Sequence, residues 1–435
     1  MNPILYLIYQ FLKLLTKISF RVYYPRATKM GMEHLRYRGS SILVSNHPNT
    51  LLDPLNAACR VPKVVHFLAN ASLFQTPFGN WFFNTFFCIP VERPQDTKGK
   101  PINNRAAFAK SHNFLAGGGC LYIAPEGGSD MERRVRPFKT GVARIALGAE
   151  AAKDWQIGLR ILPVGLTYDH APRFRSRMTV NAGEPIMVRD YAEDYREDPI
   201  GTTRRLAKEL EAQVRTLAID TADEAEDQEL LRMECLLRNS HPVSGEAHFR
   251  RTKQLLSAYR RWKATAPAEQ DAFQKRLQLY FAELETRSSQ DLALARPRQL
   301  WPLQVLALAI LAPVFLYGLV NNLLAISIPY LVARKADLYI GYQATVRILV
   351  GLLVVPVSYA LQTWAVSYWL PAPWAWAYLL SLPLSAWAAL HYYRYSAQVA
   401  AFLRVRSQWP EGPLRKERQW LLGQVENLLS ESGVD

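Results

Sequence analysis

Apolar and polar positions alternate in three different ways along this chain, and each way predicts a different kind of element. In the first two dozen residues Leu5, Ile8, Leu12, Leu15, Ile18 and Val22 recur at helical spacing, while Lys13, Lys17 and Arg21 recur every four residues on another side. That pattern predicts an amphipathic helix over 1–24 able to lie in a membrane interface. Its charges sit inside the apolar run, not before it as in a cleaved signal peptide. A surface helix packed on a domain would read the same way.

From about 40 to 190 short apolar runs alternate with helical stretches. The runs at 42–45, 64–68, 86–91, 121–124, 161–166 and 178–182 predict strands, and 54–60, 76–85, 103–116 and 140–152 predict helices. The alternation predicts an α/β domain over 25–195 with a covered, mixed and largely parallel sheet. From 196 to 298 charged residues dominate. Helical runs at 202–218, 225–238, 248–263 and 268–286 predict an exposed helical connector. Three apolar segments follow. Residues 303–332 and 373–393 hold no charged residue, and 346–370 holds only Arg347. Each reaches the roughly 20 residues that span a bilayer. Trp and Tyr near their ends fit interface belts. The tail, 396–435, is polar and mixed in charge.

Positive charge orders these segments. Arg334, Lys335 and Arg347 flank one loop, and Arg394, Arg404 and Arg406 follow the last segment. Both places are expected on the cytoplasmic side, with 371–373 outside. That leaves 303–332 starting and ending on one side, so a re-entrant pair of helices broken near Asn321-Asn322 is expected there, with simple spanning as the competing arrangement. The α/β domain is expected to face the cytoplasm from the cell membrane.

Composition narrows the function. The 435 residues carry 52 Lys and Arg against 37 Asp and Glu, a net +15, which suits nucleic acid, anionic lipid or a phosphorylated substrate. Cys59, Cys88, Cys120 and Cys235 are widely spaced and form neither a zinc pattern nor a CxxC pair. No metal cluster or nucleotide-binding loop is legible.

Three stretches carry candidate chemistry. Ser45-Asn46-His47-Pro48 leaves the strand at 42–45, and Asp53 follows a turn later. A His is the usual general base, and a carboxylate within reach fixes its tautomer. Alternatively Asp53-Pro54 is a plain helix start, with Asp as the cap. Arg93, in Pro90-Val91-Glu92-Arg93, stands at a strand exit where a guanidinium holds a phosphate, or pairs with Glu92 or Asp96. Pro125-Glu126-Gly127-Gly128-Ser129 follows the strand at 121–124, with Arg133, Arg134, Arg136 and Lys139 behind it. Two glycines permit close backbone approach to an anion. The helix opening after Lys139 would turn its positive end to the same ligand. A plain turn on a basic surface is the bland alternative. Pro163, in the run at 161–166, suggests a strand edge or a pocket wall.

Four blocks in this order resemble the glycerolipid acyltransferase superfamily: Asn-His…Asp at 46–53, Ile-Pro-Val-Glu-Arg at 89–93, Pro-Glu-Gly at 125–127 with Phe-Lys-Thr-Gly at 138–141, and Leu-Pro-Val at 162–164. The resemblance covers roughly 25–190. Gln95-Asp96 after Arg93, Gly128-Ser129 after Pro-Glu-Gly, and the C-terminal apolar segments are similar to fungal enzymes that acylate glycerol-3-phosphate and dihydroxyacetone phosphate. The resemblance implies His47 as base, Asp53 as its partner, and Asn46, Arg93, Glu126, Gly127, Gly128 and Lys139 around the substrate. Glu126, if ionised, is expected to orient Arg93 or a nearby Lys. One departure stands out: five residues separate His47 from Asp53 where the family has four. A bulged loop before a helix starting at Asp53 or Pro54 would absorb the extra residue. The implied reaction moves a fatty acyl group from coenzyme A or acyl carrier protein to glycerol-3-phosphate or its 1-acyl form. It needs no cofactor, metal or nucleic acid. Another lysophospholipid acceptor, or an inactive membrane scaffold, is the alternative.

Overall fold

The computed structural model describes residues 2–92, 103–296 and 298–431. The chain forms two compact units. One comprises Met1–Ala222 with Leu338–Thr345, the other Asp223–Asp337 with Val346–Asp435.

The first unit opens with helix α1 (Pro3–Tyr23), started by Asn2, whose side chain accepts the Ile4 N–H. Strands β1 (Arg26–Met30), β2 (Ser41–Ser45), β3 (Val65–Asn70), β4 (Cys88–Val91), β5 (Cys120–Ile123), β6 (Arg160–Tyr168), β7 (Arg177–Ala182) and β8 (Ile186–Met187) alternate with helices α2 (Leu52–Ala58), α3 (Pro77–Thr85), α4 (Arg105–Ala116) and α5 (Gly141–Ala151). Helices α6 (Ala192–Glu197) and α7 (Pro199–Leu217) follow. Among the described residues the strands make one sheet in the order β1-β7-β6-β2-β5-β3-β4, with β8 also on β6. Strands β2 to β6 are parallel, while β7 and β8 run antiparallel to β6. The sheet is therefore mixed and largely parallel. Every residue of β2 is buried, and β5 and β6 pair with it on either side. A strand covered on both faces reads as a continuous apolar run, which is why it was legible in the sequence. Strand β1 was not, since Arg-Ala-Thr-Lys-Met at the sheet edge lacks such a run.

Pro163 lies in central β6, not at a strand edge. Its carbonyl accepts the Gly183 N–H at 2.9 Å. A strand residue's N–H and carbonyl point to the same neighbour, so the donor that Pro163 lacks would have faced the 183–185 bend. That bend separates the β7 pairing, which starts at Val164, from the β8 pairing, which ends at Ile161. No ladder bond is lost.

In the second unit α8 (Glu224–Ser240), α9 (Gly245–Thr265), α10 (Pro267–Thr286), α11 (Asp291–Ala295) and α15 (Pro413–Ser430) pack around Leu230, Leu255, Phe273, Leu277, Leu421 and Val425. The long apolar helices are α12 (Trp301–Lys335), α13 (Gln343–Ser367) and α14 (Ala372–Arg404). The expected break at Asn321-Asn322 is absent, and α12 runs unbroken through 35 residues. Both amides are satisfied inside apolar surroundings. Asn321 donates to the Tyr317 carbonyl and accepts from Tyr378, and Asn322 donates to the Gly318 carbonyl and accepts from Tyr359. With the polar groups paired, nothing requires the helix to unwind. Trp301–Lys335 and Ile340–Ser367 are long and apolar enough to cross a membrane. Their Ile310, Val320, Leu324 and Leu353 stand more than half exposed, unlike core helices. The third expected segment falls within α14, whose Trp, Tyr, Ser and His residues dilute its apolar character.

Candidate active site

Strand β2 ends at Ser45 and aims the next residues at the C-terminal edge of the sheet, where α/β folds collect their chemistry. Asn46 is buried and occupied on both ends of its amide. It donates to the Leu166 carbonyl at 2.8 Å and accepts the Leu166 N–H at 2.7 Å. It thus extends the β2–β6 pairing by one step and does not face the cavity; the expectation of direct substrate contact is corrected. Held in this way, the chain turns His47 outward.

His47 Nδ1 lies 3.0 Å from Asp53 Oδ2. Asp53 also accepts the Asn49 N–H at 2.5 Å on Oδ2 and the Tyr168 hydroxyl at 3.0 Å on Oδ1. Its side chain is wholly buried, while that of His47 is 20% exposed. Burial pushes the Asp53 carboxyl above its ordinary range, against the pull of His47, Asn49 and Tyr168. With Nδ1 turned to the carboxylate, Nε2 is the ring nitrogen left to act as acceptor.

The five-residue spacing is absorbed before the helix, as the bulged loop requires. Thr50 takes a left-handed φ of 41°, and Leu52 and Asp53 donate back to the Asn49 and Thr50 carbonyls. Helix α2 starts at Leu52, one residue earlier than expected, and Leu51 is its cap. Asp53 is not the cap: its carboxylate reaches backwards to Asn49, ahead of the helix. Thr50 is pinned by its N–H to Ser129 Oγ at 2.9 Å and its hydroxyl to the Gly341 carbonyl at 3.0 Å.

His47 lines a cavity of about 1090 Å³. Its lining includes the aromatic and aliphatic Phe67, Leu73, Phe82, Phe83 and Phe86. It also includes Gly127, Gly128, Ser129, Lys139, Arg105 and Arg144, and the first turn of α5 at Gly141 and Val142. Lys139 donates its N–H to the Pro125 carbonyl at 2.9 Å, which closes the loop between them. Its ammonium lies over Gly127, where an added Cβ would stand 2.4 Å from Nζ; Gly127 also has a φ of 73°. The positive φ is what favours glycine here, and an added Cβ would in addition displace the Lys139 ammonium.

Glu126 is buried and does not line the cavity. Its carboxyl accepts backbone N–H groups of Arg136 and His47, so it ties the third block to the first. Among the described residues its hydrogen-bond partners are these backbone amides; Arg93, the cation it was expected to orient, lies outside them. Burial raises it to about 8. The basic run behind it is also reassigned. Arg136 pairs with Asp130 at 2.5 Å and Glu132 at 3.4 Å, and Arg133 is buried. Lys139 is the member of that run on the cavity wall. Arg93 lies outside the described residues. Arg105 and Arg144 had no motif to reveal them, since they sit on ordinary helices that only the fold brings to this wall. Tyr168 was equally silent, eight residues into β6. The cavity also holds Cys88, whose thiol burial lifts to about 11, so it is not an activated nucleophile.

Residues 26–167, about a third of this chain, match the Acyltransferase family. Its relatives include Glycerol-3-phosphate O-acyltransferase 2 of Saccharomyces cerevisiae, 41% identical over 110 residues, which are 25% of this chain and 15% of that protein. Glycerol-3-phosphate O-acyltransferase 1 of the same yeast is 36% identical over 87 residues, 20% of this chain and 11% of the relative. The matched stretch is a small part of either yeast protein. Among solved structures, the 1-acyl-sn-glycerophosphate (LPA) acyltransferase PlsC from Thermotoga maritima aligns over 46% of this chain and 80% of its own, at 19% identity and a TM-score of 0.32.

Proposed function

We propose that this chain transfers a fatty acyl group from an acyl thioester to a hydroxyl of glycerol-3-phosphate or 1-acylglycerol-3-phosphate, at the membrane. The observation that carries this reading is the buried Asp53 holding His47 at the wall of a cavity whose lining combines basic and aromatic side chains. His47 Nε2 takes the proton of the acceptor hydroxyl. Asp53 fixes the ring and stabilises the imidazolium that forms. The oxygen attacks the thioester carbonyl, the carbon–sulfur bond breaks, and the proton passes from His47 to the departing thiolate. No acyl-enzyme is required. Lys139, Arg144, Arg105 and the first turn of α5 supply positive charge for the acceptor phosphate. Arg93 is assigned to the same task on sequence alone. The aromatic side chains take the acyl chain. Asn46 and Glu126 hold the catalytic turn without touching substrate.

The donor is carried on coenzyme A or acyl carrier protein. The catalytic unit faces the cytoplasm from the cell membrane, with the loop at 338–345 on its side. The decisive experiment incubates the purified full chain in detergent or vesicles with labelled acyl-CoA or acyl carrier protein and a panel of acceptors. Label in lysophosphatidate or phosphatidate is the expected result. Transfer to no acceptor from either donor would remove this reading.

A further inference from the structure

Helix α3 and the turn before it, residues 71–86, form Ala-Ser-Leu-Phe-Gln-Thr-Pro-Phe-Gly-Asn-Trp-Phe-Phe-Asn-Thr-Phe, without one charged side chain. Thr76 caps the helix through the Gly79 N–H at 3.0 Å, and Pro77 starts it, so its direction is set locally. The helix is aromatic on two faces. Phe83 and Phe86 line the cavity that His47 enters. Phe78 and Trp81, three residues apart, are outside that lining and stand 70% and 59% exposed, Phe78 stacked on Phe82 at 5.8 Å and Trp81 edge-on to Phe86 at 6.4 Å. Phe82 lies between, touching the cavity and still partly open. A soluble surface has no use for such a face; an amphipathic ring at a lipid interface does.

A second apolar surface runs beside it. In α1, Tyr9, Phe20 and Tyr23 are buried, while Ile4, Leu7, Phe11, Leu14, Ile18 and Val22 are exposed. Tyr9 packs edge-on against Phe87, next to the end of α3, at 5.2 Å between centroids. The basic side chains of α1, Lys17 and Arg21, border this surface and complement anionic headgroups.

We propose that α3 is itself immersed in the bilayer, Phe78 and Trp81 outward, and forms the portal through which acyl chains pass from lipid into the cavity. The occupant of this face is lipid, and the chain on its inner side is the acyl group of the reaction proposed above, on which the portal role rests. The helix gives an apolar chain a continuous aromatic path, Phe78 and Trp81 to Phe82 to Phe83 and Phe86, with no charged side chain from its own segment to cross.

Immersion is tested without reference to activity. Full-length Phe78→Cys, Trp81→Cys and Glu193→Cys variants are labelled with an environment-sensitive fluorophore. They are placed in phosphatidylcholine–phosphatidylglycerol vesicles containing doxyl lipid, and the signal of the identically treated parent is subtracted. Blue-shifted, doxyl-quenched emission at 78 and 81 but not at 193 is expected; probes at 78 and 81 that resemble the one at 193 would overturn immersion. The portal is tested with Phe78→Asp and Trp81→Asp. Transfer from a long-chain thioester in vesicles should fall about tenfold, the effect of losing a kilocalorie or two of apolar contact, while transfer from butyryl thioester in detergent stays level. Equal loss on both donors, or loss on neither, would reject the portal. A chain inert with every donor but quenched at 78 and 81 would keep the immersed helix and remove the acyltransferase reading.

Discussion

Two buried carboxylates, one in each unit, look alike by exposure and differ in what they do. Asp53 receives His47, the Asn49 N–H and the Tyr168 hydroxyl. Asp291 receives Arg418 through Nε at 2.8 Å and Nη2 at 3.1 Å, the Tyr280 hydroxyl at 2.6 Å and the Asn239 amide at 2.8 Å. Both are saturated. The difference is the exposure of the partner. Arg418 is itself buried, so the second pair ends inside the bundle, where it joins α8, α10, α11 and α15. His47 is 20% exposed and lines a cavity, so the first pair ends where a substrate can be. Burial of a charge marks an expensive arrangement; a titratable partner facing space marks a working one.

The sharpest way to break the comparison is at the two pairs. His47→Ala should reduce acyl transfer by about 10²- to 10⁴-fold while leaving the thermal transition nearly in place. Asp53→Asn should follow it in activity. An active His47→Ala enzyme would place the two carboxylates in one class. Arg418→Ala should do the opposite. Removing one member of a buried ion pair costs about 3–5 kcal/mol, read as a shifted denaturant midpoint, with turnover per folded molecule unchanged. A stable Arg418→Ala with lowered turnover would mean the second pair serves the site.

Two smaller effects refine the first region. Gly127→Ala must hold a Cβ at a φ of 73° against the Lys139 ammonium. The left-handed conformation alone costs about 1–2 kcal/mol, and the displaced lysine should raise the acceptor KM more than the donor KM. Steady-state kinetics with both substrates varied decides it. The mildest change concerns Glu126. Burial lifts its carboxyl from an ordinary 4.5 to about 8, so the folded chain keeps a proton that the unfolded chain has lost. Its contribution to stability is whole below 4.5 and drains away as pH rises through 8. Glu126→Gln preserves the neutral shape, so melting temperature should depend less on pH between about 4.5 and 8. An unchanged profile would mean the carboxyl is ionised throughout.

The legible parts of the chain share one property: their sequence neighbours are also their physical causes. The apolar run of β2 and the helical stretches of α3 to α5 each declare an element within a dozen residues. His47 and Asp53 are close enough in sequence for their pairing to be read from spacing, although Thr50's left-handed turn, which makes that spacing work, is not. What failed was long-range. Asn46 reads as a site residue until Leu166 takes both ends of its amide. Glu126 gives no sign in sequence that the backbone of His47 and Arg136 is brought to it. Asn321-Asn322 reads as a break until tyrosines from α13 and α14 arrive to satisfy it.

The sequence by itself therefore determined the α/β domain, the pairing of His47 with Asp53, the glycine turn and the apolar C-terminal helices, because local pattern and short spacing are enough for those. Only the tertiary structure decided which polar residues face the cavity and which are consumed holding it. It alone brought Arg105 and Arg144 to the wall beside Lys139, and gave α3 one aromatic face toward the cavity and one toward the outside. A side chain's role depends on whether its hydrogen bonds are already taken, and the partners come from other elements of the chain, 37 residues away for Asn322 and 120 for Asn46.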